Sequence, residues 1–298
     1  MNDVVIGIDI GGTNIRVALL NKQLEILKKE TARSDQFTCK HAFLEQVANM
    51  VGIVNENRQA NVIGIVLPIP WANNKLVFED AINIPFLERL TLDELMAALP
   101  DYDIFVENDV NVVALLEANL GKASTYENSA YITVSTGIGS GIIINKEIYH
   151  GSNGYAGEVG SILIRHPQKG LVMLEELCSG TALSKESAKL YGAQAEAKEL
   201  FVQYEAGDEM AKEVIADWIE QFSIGLATVM LMVDPSIIVL GGPVIINHPW
   251  LLEHLIIATK EKVLANLSKK VNMVISNYGV DAGLVGVGYY AWLKAKSK

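Results

Sequence analysis

An acid inside an apolar strand, directly before two adjacent glycines, is the feature that most limits how this chain can fold. Residues 4–10 are apolar except for Asp9, and Gly11, Gly12 and Thr13 separate them from a second apolar strand. Adjacent glycines allow a sharp turn and leave N–H groups free to face a phosphate. A buried acid is costly unless it is engaged. The pattern predicts a phosphate-binding hairpin in which Asp9 holds hydrated Mg²⁺, with an ordinary glycine-rich hairpin as the alternative.

The same strand–turn–strand unit returns in the second half of the chain. Residues 131–136 have a strand pattern, Thr136, Gly137 and Gly139 mark a turn, and residues 142–145 form another apolar run. Repetition of one supersecondary unit predicts two similar lobes that face each other across a cleft. Two phosphate-binding turns, one from each lobe, suit a nucleoside triphosphate in that cleft. Both turns open into strands, unlike dinucleotide-binding and P-loop signatures, which open into helices.

Composition narrows the class of partner. The chain has 298 residues, about enough for two domains, and its 35 acids and 24 bases give a formal net charge of −11. Such a chain repels nucleic acid unless it has a basic patch, and the sequence shows none. Its two cysteines are far apart, which favours a reducing cytoplasm without a structural disulfide. We also expect no secretory signal and no apolar run of membrane-spanning length.

The periodicity of apolar residues alternates between strands and helices, which predicts an α/β fold. Thr91 and Glu94 have the spacing of a capping box. The pattern predicts buried strands at 62–67, 103–106, 236–240 and 271–275, and helices at 41–54, 91–99, 109–120, 208–233, 250–264 and 283–294.

Five motifs, in this order, cover essentially the whole chain. They lie at residues 9–16, 107–111, 136–139, 156–160 and 234–242. Together they closely resemble the ROK family (repressors, open reading frames, kinases), within the actin-like sugar-kinase ATPase superfamily. The resemblance implies two actin-like, ribonuclease H-like lobes with a cleft between them. Residues 1–118 with 283–298 would form the smaller N-terminal lobe, with the last helix packed back on it, and 119–282 the larger C-terminal lobe.

The resemblance assigns the chemistry of phosphoryl transfer to particular residues. From local sequence alone, Asp109 is most simply a helix N-cap, whereas the family motif implies that it is the catalytic base and that Asn108 grips sugar hydroxyls. By the same resemblance, Glu158, Glu175 and, more weakly, Asn83 bind the sugar. Glu176 lies beside Glu175 and leaves the alignment of that motif open.

The remaining assignments concern the nucleotide and its metal. Gly241 and Gly242 resemble the turn near the adenosine and ribose, with a plain strand-to-loop turn as the alternative. The full set of nucleotide residues implied is Asp9, Gly11, Gly12, Thr13, Thr136, Gly137, Gly139, Gly241 and Gly242. ATP and Mg²⁺ are the expected cofactors, with Mg²⁺ held by Asp9 through water.

Two departures from the family pattern bear on metal and substrate. The family's zinc-binding cysteines are missing after His166, so we expect no zinc site and a surface position for this histidine. Ser161 stands where the family usually has a sugar-contacting histidine. A serine leaves room near the anomeric end of the sugar, which is compatible with a β-glucoside or an N-acylated hexosamine.

The resemblance implies an ATP-dependent sugar kinase that acts on a hydroxyl, the 6-hydroxyl by analogy. Its acceptor would be a hexose, an N-acylhexosamine such as N-acetylmannosamine, or a β-glucoside. One alternative is a sugar-responsive repressor, but with eight residues before Asp9 we expect no N-terminal DNA-binding domain. The other alternative is a sugar sensor without turnover. As partners we expect a small-molecule sugar and a second copy in a cytoplasmic homodimer, and neither nucleic acid nor membrane.

Overall fold

Each half of the chain builds a five-stranded sheet with the same order of strands. The computed structural model describes residues 3–72, 76–82 and 84–296. It divides into two compact units. The first comprises the chain up to Leu116, the segment Ile148–Ala156 and the chain from Tyr278 onward, and the second comprises Glu117–Glu147 and Gly157–Asn277. The predicted lobe boundaries, after residues 118 and 282, stay a proposal.

The elements of the described residues follow in chain order. The strands are β1 (Val4–Ile10), β2 (Asn14–Asn21), β3 (Ile26–Arg33), β4 (Val62–Leu67), β5 (Asp103–Asn108), β6 (Ser129–Val134), β7 (Ile138–Ile144), β8 (Glu147–Ile148), β9 (Leu163–His166), β10 (Gly170–Met173), β11 (Ile237–Gly241) and β12 (Met273–Ile275). The helices are α1 (Lys40–Val54), α2 (Leu92–Ala98), α3 (Asp109–Leu120), α4 (Leu174–Cys178), α5 (Gly180–Tyr191), α6 (Ala197–Glu205), α7 (Glu209–Val233), α8 (Pro243–Asn247), α9 (Leu251–Lys260), α10 (Ala265–Ser268) and α11 (Ala282–Lys296).

The two sheets repeat one topology. The first has the order β3-β2-β1-β4-β5, and the second has the order β8-β7-β6-β11-β12. In the first sheet β1 and β2 form an antiparallel hairpin, while β4 and β5 run parallel to β1. In the second, β6 and β7 form the hairpin, while β11 and β12 run parallel to β6. The α/β class and the internal repeat predicted from the glycine turns are therefore confirmed.

The C-terminal helix packs on the first sheet. α11 contacts β1, β2, β4 and β5. Its backbone approaches the sheet where glycines leave space, because a Cβ on Gly64 would lie only 2.6 Å from the carbonyl oxygen of Val287. The packing of the last helix on the N-terminal sheet agrees with what the family resemblance implied.

Local signals in the sequence fix several element boundaries. The β4 and α3 boundaries match the predicted ranges, and Thr91 forms the predicted capping box with Glu94 at the start of α2. Asp208 caps α7 by accepting a hydrogen bond from the backbone of Ala211. These side chains supply partners for backbone N–H groups that a helix cannot satisfy itself.

One prediction about the chain needs correction. α7 is long and apolar enough, by length and composition, to cross a membrane, whereas no segment was expected to reach that length. In the second unit, however, 56% of its most apolar window is buried, and Trp218, Phe222 and Leu226 are among its core residues. Length and apolar composition are therefore explained by a core helix.

Candidate active site

The predicted acids of the first unit lie at one edge of its sheet. In the parallel strands Asp9 is in register with Val66, and Val66 is in register with Glu107. Asn108 and Asp109 follow directly at the end of β5 and the start of α3. We call Asp9, Glu107, Asn108 and Asp109 the acidic edge. Carboxyl ends of parallel strands are where open α/β sheets place their ligands.

Asp9 is paired across the first hairpin. Its Oδ2 lies 3.2 Å from Nη1 of Arg16, the residue in register with it on β2. Burial raises the pKa of the Asp9 carboxyl, while Arg16 opposes part of that rise. The first turn of α11 packs against it, because a Cβ on Gly283 would lie 3.0 Å from Oδ2. The carboxylate is thus held in place and remains 15% exposed.

The first glycine turn is hydrogen-bonded to Ser34, the residue that follows β3. The Gly11 N–H donates to the Asn14 carbonyl (2.9 Å), so this one of the turn's N–H groups is engaged within the hairpin. Ser34 donates its hydroxyl to the Gly11 carbonyl (2.6 Å) and its N–H to the Thr13 carbonyl (2.9 Å). No sequence signal marked Ser34. Gly12 is half-buried and Thr13 is exposed at the tip.

The helix cap at α3 belongs to Asn108, not to Asp109. Asn108 Oδ1 accepts hydrogen bonds from the N–H groups of Val110 (2.9 Å) and Asn111 (3.1 Å). Its Nδ2 donates to the Ile69 carbonyl (3.0 Å), so most of this amide is occupied by the backbone. Asp109 is the first residue of the helix, and its Oδ1 accepts from Val110 (3.0 Å). The N-cap interpretation of Asp109 therefore passes to its neighbour.

The sequence did not single out Glu107 and His150, which lie together beside this turn. Glu107 is fully buried, and its Oε2 lies 2.7 Å from Nε2 of His150. His150 belongs to residues 148–156, a segment of the first unit that we call the strap. An acid among the apolar residues of β5 was an available signal, the same one that marked Asp9, but nothing in the sequence pointed to His150.

The Glu175 carboxylate contacts the second glycine turn. Ile138 donates its N–H to Oε2 of Glu175 (2.7 Å), and a Cβ on Gly137 would lie 2.4 Å from that oxygen. The N-terminus of α5 abuts the same turn, since Gly180 donates its N–H to the Ser135 carbonyl (2.7 Å). A helix N-terminus favours negative charge nearby.

The predicted adenosine turn lies beside this second glycine turn. β11 runs parallel to β6, so both strands end at one edge of the second sheet. Gly242 has a positive φ of 82°, and a Cβ there would lie 2.3 Å from the Val134 carbonyl oxygen. Gly139 lies on β7, in register with Thr133 on β6. We call Thr136, Gly137, Gly241 and Gly242 the glycine edge.

The predicted sugar-binding acids of the second unit occupy different settings. Glu158 and Ser161 are both exposed: Glu158 immediately precedes a single 3-10 turn, Val159–Ser161, and Ser161 ends it. Glu175 reaches the glycine turn, whereas Glu176 accepts a hydrogen bond from the Met173 N–H (3.2 Å) at the start of α4. The two adjacent acids thus have different contacts, and Glu175 is the one that contacts the second glycine turn. Asn83 lies outside the described residues.

His166 is not the surface residue that the sequence predicted. It is 5% exposed, with its Nε2 3.1 Å from Asp217 Oδ2. Its Nδ1 accepts hydrogen bonds from the N–H groups of Gln168 (3.2 Å) and Lys169 (3.1 Å). Both ring nitrogens therefore serve the fold. Among the described residues, no group of three or more His, Cys, Asp or Glu side chains is arranged to hold a metal ion.

Comparison with known proteins agrees with this architecture. Two units with one repeated sheet topology place the chain in the α/β class with two actin-like lobes. The sequence profile of the ROK family matches residues 5–295, and the chain belongs to the ROK family. A ROK hexokinase from Thermus thermophilus superposes with a TM-score of 0.84 at 29% identity, covering 99% of this chain and 100% of that one.

Two further relatives carry names that state an activity. An N-acetyl-D-glucosamine kinase from Pasteurella multocida is 25% identical, over 94% of this chain and 96% of its own length. A ROK glucokinase from Streptomyces griseus, solved with glucose and AMPPNP, has a TM-score of 0.81 at 23% identity. That structure covers 97% of this chain and 99% of its own, and at this identity it supports the fold alone.

Proposed function

We propose that this protein transfers the γ-phosphate of ATP to the 6-hydroxyl of a hexose, an N-acylhexosamine such as N-acetylmannosamine, or a β-glucoside. It is an ATP-dependent carbohydrate kinase, and it is similar to a ROK hexokinase and to an N-acetyl-D-glucosamine kinase. The class of sugar and the hydroxyl that is phosphorylated are part of our proposal.

The observation that supports this function most strongly is the geometry at the start of α3. Asn108 takes the capping role, and Asp109 follows it at the carboxyl end of β5, where its Oδ1 accepts a hydrogen bond from the Val110 N–H (3.0 Å). In our proposal Asp109 accepts the proton of the sugar hydroxyl as that oxygen attacks phosphorus. Phosphoryl transfer needs little else from a protein beyond positioning and neutralisation of charge.

The glycine edge fits a nucleotide. A Cβ on Gly242 would meet the Val134 carbonyl oxygen and one on Gly137 would meet the Glu175 carboxylate, and the α5 N-terminus adds positive potential beside the turn. We propose that this edge, with Gly11, Gly12 and Thr13, binds the phosphates and ribose of ATP. Asp9 would hold Mg²⁺ through water, and the bound cation would neutralise phosphate charge.

The sugar would be held by Asn108, Glu158, Glu175 and Asn83, as the family resemblance implies. Asn108 retains one amide hydrogen for this task, because the Ile69 carbonyl takes the other. Ser161 is exposed at the end of the turn that follows Glu158. A short side chain at this position supports an acceptor with a substituent near its anomeric carbon or its 2-position.

A substrate screen tests the proposal. Hexoses, N-acylhexosamines and β-glucosides would be supplied with Mg²⁺ and ATP, and ADP release would be followed by a coupled assay. A thermal-shift measurement with each sugar, without ATP, would run in parallel. We expect sugar-dependent ADP release with at least one class. Stabilisation by a sugar without any ADP release would instead favour a sensor without turnover.

We further propose a cytoplasmic homodimer that binds neither nucleic acid nor membrane. The net charge of −11 opposes contact with phosphodiesters. Cys39 and Cys178 are both unpaired, and burial raises the pKa of the Cys178 thiol well above its usual range. Light scattering after size exclusion would test the dimer, and a single-chain mass would contradict it.

A further inference from the structure

Glu107 is a buried acid whose hydrogen-bonding capacity is filled. Its Oε1 accepts from the Asn108 N–H (2.9 Å) and from Asn111 Nδ2 (3.0 Å). Its Oε2 faces His150 Nε2 at 2.7 Å, and the Tyr290 hydroxyl also donates to the carboxylate. Burial and then the nearby Glu107 raise the pKa of Tyr290, so this hydroxyl keeps its proton. Three donors and the His150 ring nitrogen therefore surround the two oxygens of this carboxyl group.

Packing alone gives little reason for such a network. A buried charged group is expensive, and apolar residues of similar volume often replace one without loss of stability. The position of the donors is more informative. Asn108 immediately precedes Asp109, and Asn111 follows it by two residues, so Glu107 binds the turn on both sides of the proposed base.

His150 connects this turn to the strap. The strap closes on itself through the Ala156 N–H and the His150 carbonyl (3.3 Å). Farther along, Gly154 packs on the backbone of Trp71, where a Cβ would lie 2.6 Å from the carbonyl carbon, and Tyr155 donates its hydroxyl to Asp80. The His150–Glu107 contact is the anchor next to Asp109.

We propose that Glu107 and His150 are positioning residues for phosphoryl transfer: Glu107 fixes the Asp109 turn, and His150 holds Glu107 and the strap in that arrangement. The inference rests on the proposed function, since it assumes that Asp109 is the base. A loosened turn misplaces the carboxylate, and small misplacements of a reacting group lower kcat strongly. Nucleotide binding in the second unit should be unaffected.

The test compares His150→Leu with His150→Gln, using kcat, KM for the sugar and Kd for AMPPNP. Leucine removes the donor to Glu107, whereas the glutamine amide restores one. We expect kcat of His150→Leu to fall by about tenfold to a hundredfold, with Kd for AMPPNP within about twofold of wild type. His150→Gln should recover much of the lost kcat. Tyr290→Phe, which removes only a hydroxyl, should lower kcat in the same direction and serves if His150→Leu does not fold.

His166→Leu is the matched control, because His166 also sets Nε2 against a carboxylate but belongs to the second unit. It should lower Tm and leave kcat unchanged. Wild-type kcat in both His150→Leu and Tyr290→Phe would overturn the positioning role, as would an equal loss of kcat in the His166 control. If the wild-type protein phosphorylates no sugar, the proposed function fails and this inference with it. An active wild type with active His150 and Tyr290 variants refutes the inference alone.

Discussion

The acidic edge of the first sheet and the glycine edge of the second occupy equivalent places in one repeated topology, yet their chemistry differs. At the first edge the strands end in carboxylates, two of which are engaged by Arg16 and His150. At the second, the strands end in glycines, and the turn after β6 is bonded to Glu175 and to the N-terminus of α5.

This difference shows how two copies of one structural unit can bind different groups. The hairpin and parallel strands supply the same scaffold twice, so only residues at the strand ends decide what each edge can bind. Carboxylates suit proton transfer and hydrated cations. Glycines with exposed backbone suit phosphates. Substitutions at each edge can test whether catalysis belongs to the acidic edge and nucleotide binding to the glycine edge.

The largest effect should come from Asp109→Asn. The asparagine oxygen can still accept from the Val110 N–H, so the fold and the Kd for AMPPNP should be preserved. Loss of the general base should lower kcat by about 10²–10⁴-fold. Sugar-dependent ADP release and circular dichroism, measured on the same preparation, would check this. Near-normal turnover would show that Asp109 is not the general base and would contradict the assignment of catalysis to the acidic edge.

The next largest effect should be on the choice of sugar. Ser161→His adds an imidazole at an exposed position after Glu158, so folding should not suffer. It should fill space near the anomeric carbon and shift kcat/KM from substituted toward unsubstituted sugars. One polar contact commonly changes selectivity by about 1–3 kcal/mol, or roughly tenfold to a hundredfold. An unchanged ratio of kcat/KM between the two sugar types would show that Ser161 does not line the pocket.

A smaller effect should follow from Gly137→Ala at the glycine edge. The added methyl would meet the flexible end of Glu175, moving its carboxylate off the Ile138 N–H. We expect a loss of about 0.5–1.5 kcal/mol in unfolding free energy, with a similar loss for Glu175→Ala. Because both changes break the same hydrogen bond, the double variant should be no worse than either single one. Full additivity in denaturant unfolding would contradict the contact.

These variants also separate what sequence could predict from what it could not. The β1–β2 hairpin, β4 and α3 followed from apolar period, glycines and capping residues, which are local signals. Contacts between residues that are far apart in the chain could not be predicted from the sequence. Glu175 meets a turn 37 residues away, and Glu107 meets His150 at a separation of 43 residues. A single sequence carries no pairing information at such distances.

The errors have the same origin. Asp109 is a good N-cap residue, but Asn108 occupies the cap because β5 extends two residues beyond its predicted end. His166 lies in a polar stretch that favours a loop, yet a hairpin turn and Asp217 on α7 bury it. In each case tertiary contacts override the local propensity from which the prediction was made.

A still smaller effect should appear in the stability of Asp9→Asn. Burial raises the pKa of Asp9 above its ordinary value, so the folded state favours the protonated form. The stability from this group is present at low pH and is lost as pH rises through its folded pKa. At neutral pH an asparagine should therefore raise Tm slightly. Loss of the Arg16 pair, about 0.2–1 kcal/mol, offsets part of the gain.

The gain in Tm should shrink on acidification toward the ordinary carboxyl pKa, and the variant should also need more Mg²⁺ for half-maximal activity. Arg16→Gln is the matched control, since it removes the other partner of the pair and should lower Tm at neutral pH. A fall in Tm for Asp9→Asn at neutral pH would mean that the ion pair outweighs burial. The acidic edge would then be a structural pair rather than a cation site.

The smallest effect concerns metal in the second unit, where we expect none. A zinc-ligating histidine must offer a ring nitrogen lone pair, but His166 Nδ1 already accepts two backbone N–H groups and its Nε2 faces Asp217. Ligation would break these contacts, and Cys178, buried in the core of the same unit, offers a thiol whose raised pKa opposes the thiolate form. Treatment with a chelator, followed by restoration of Mg²⁺, should leave Tm unchanged. One tightly held zinc per chain in elemental analysis would overturn this and would give the glycine-edge unit a metal of its own.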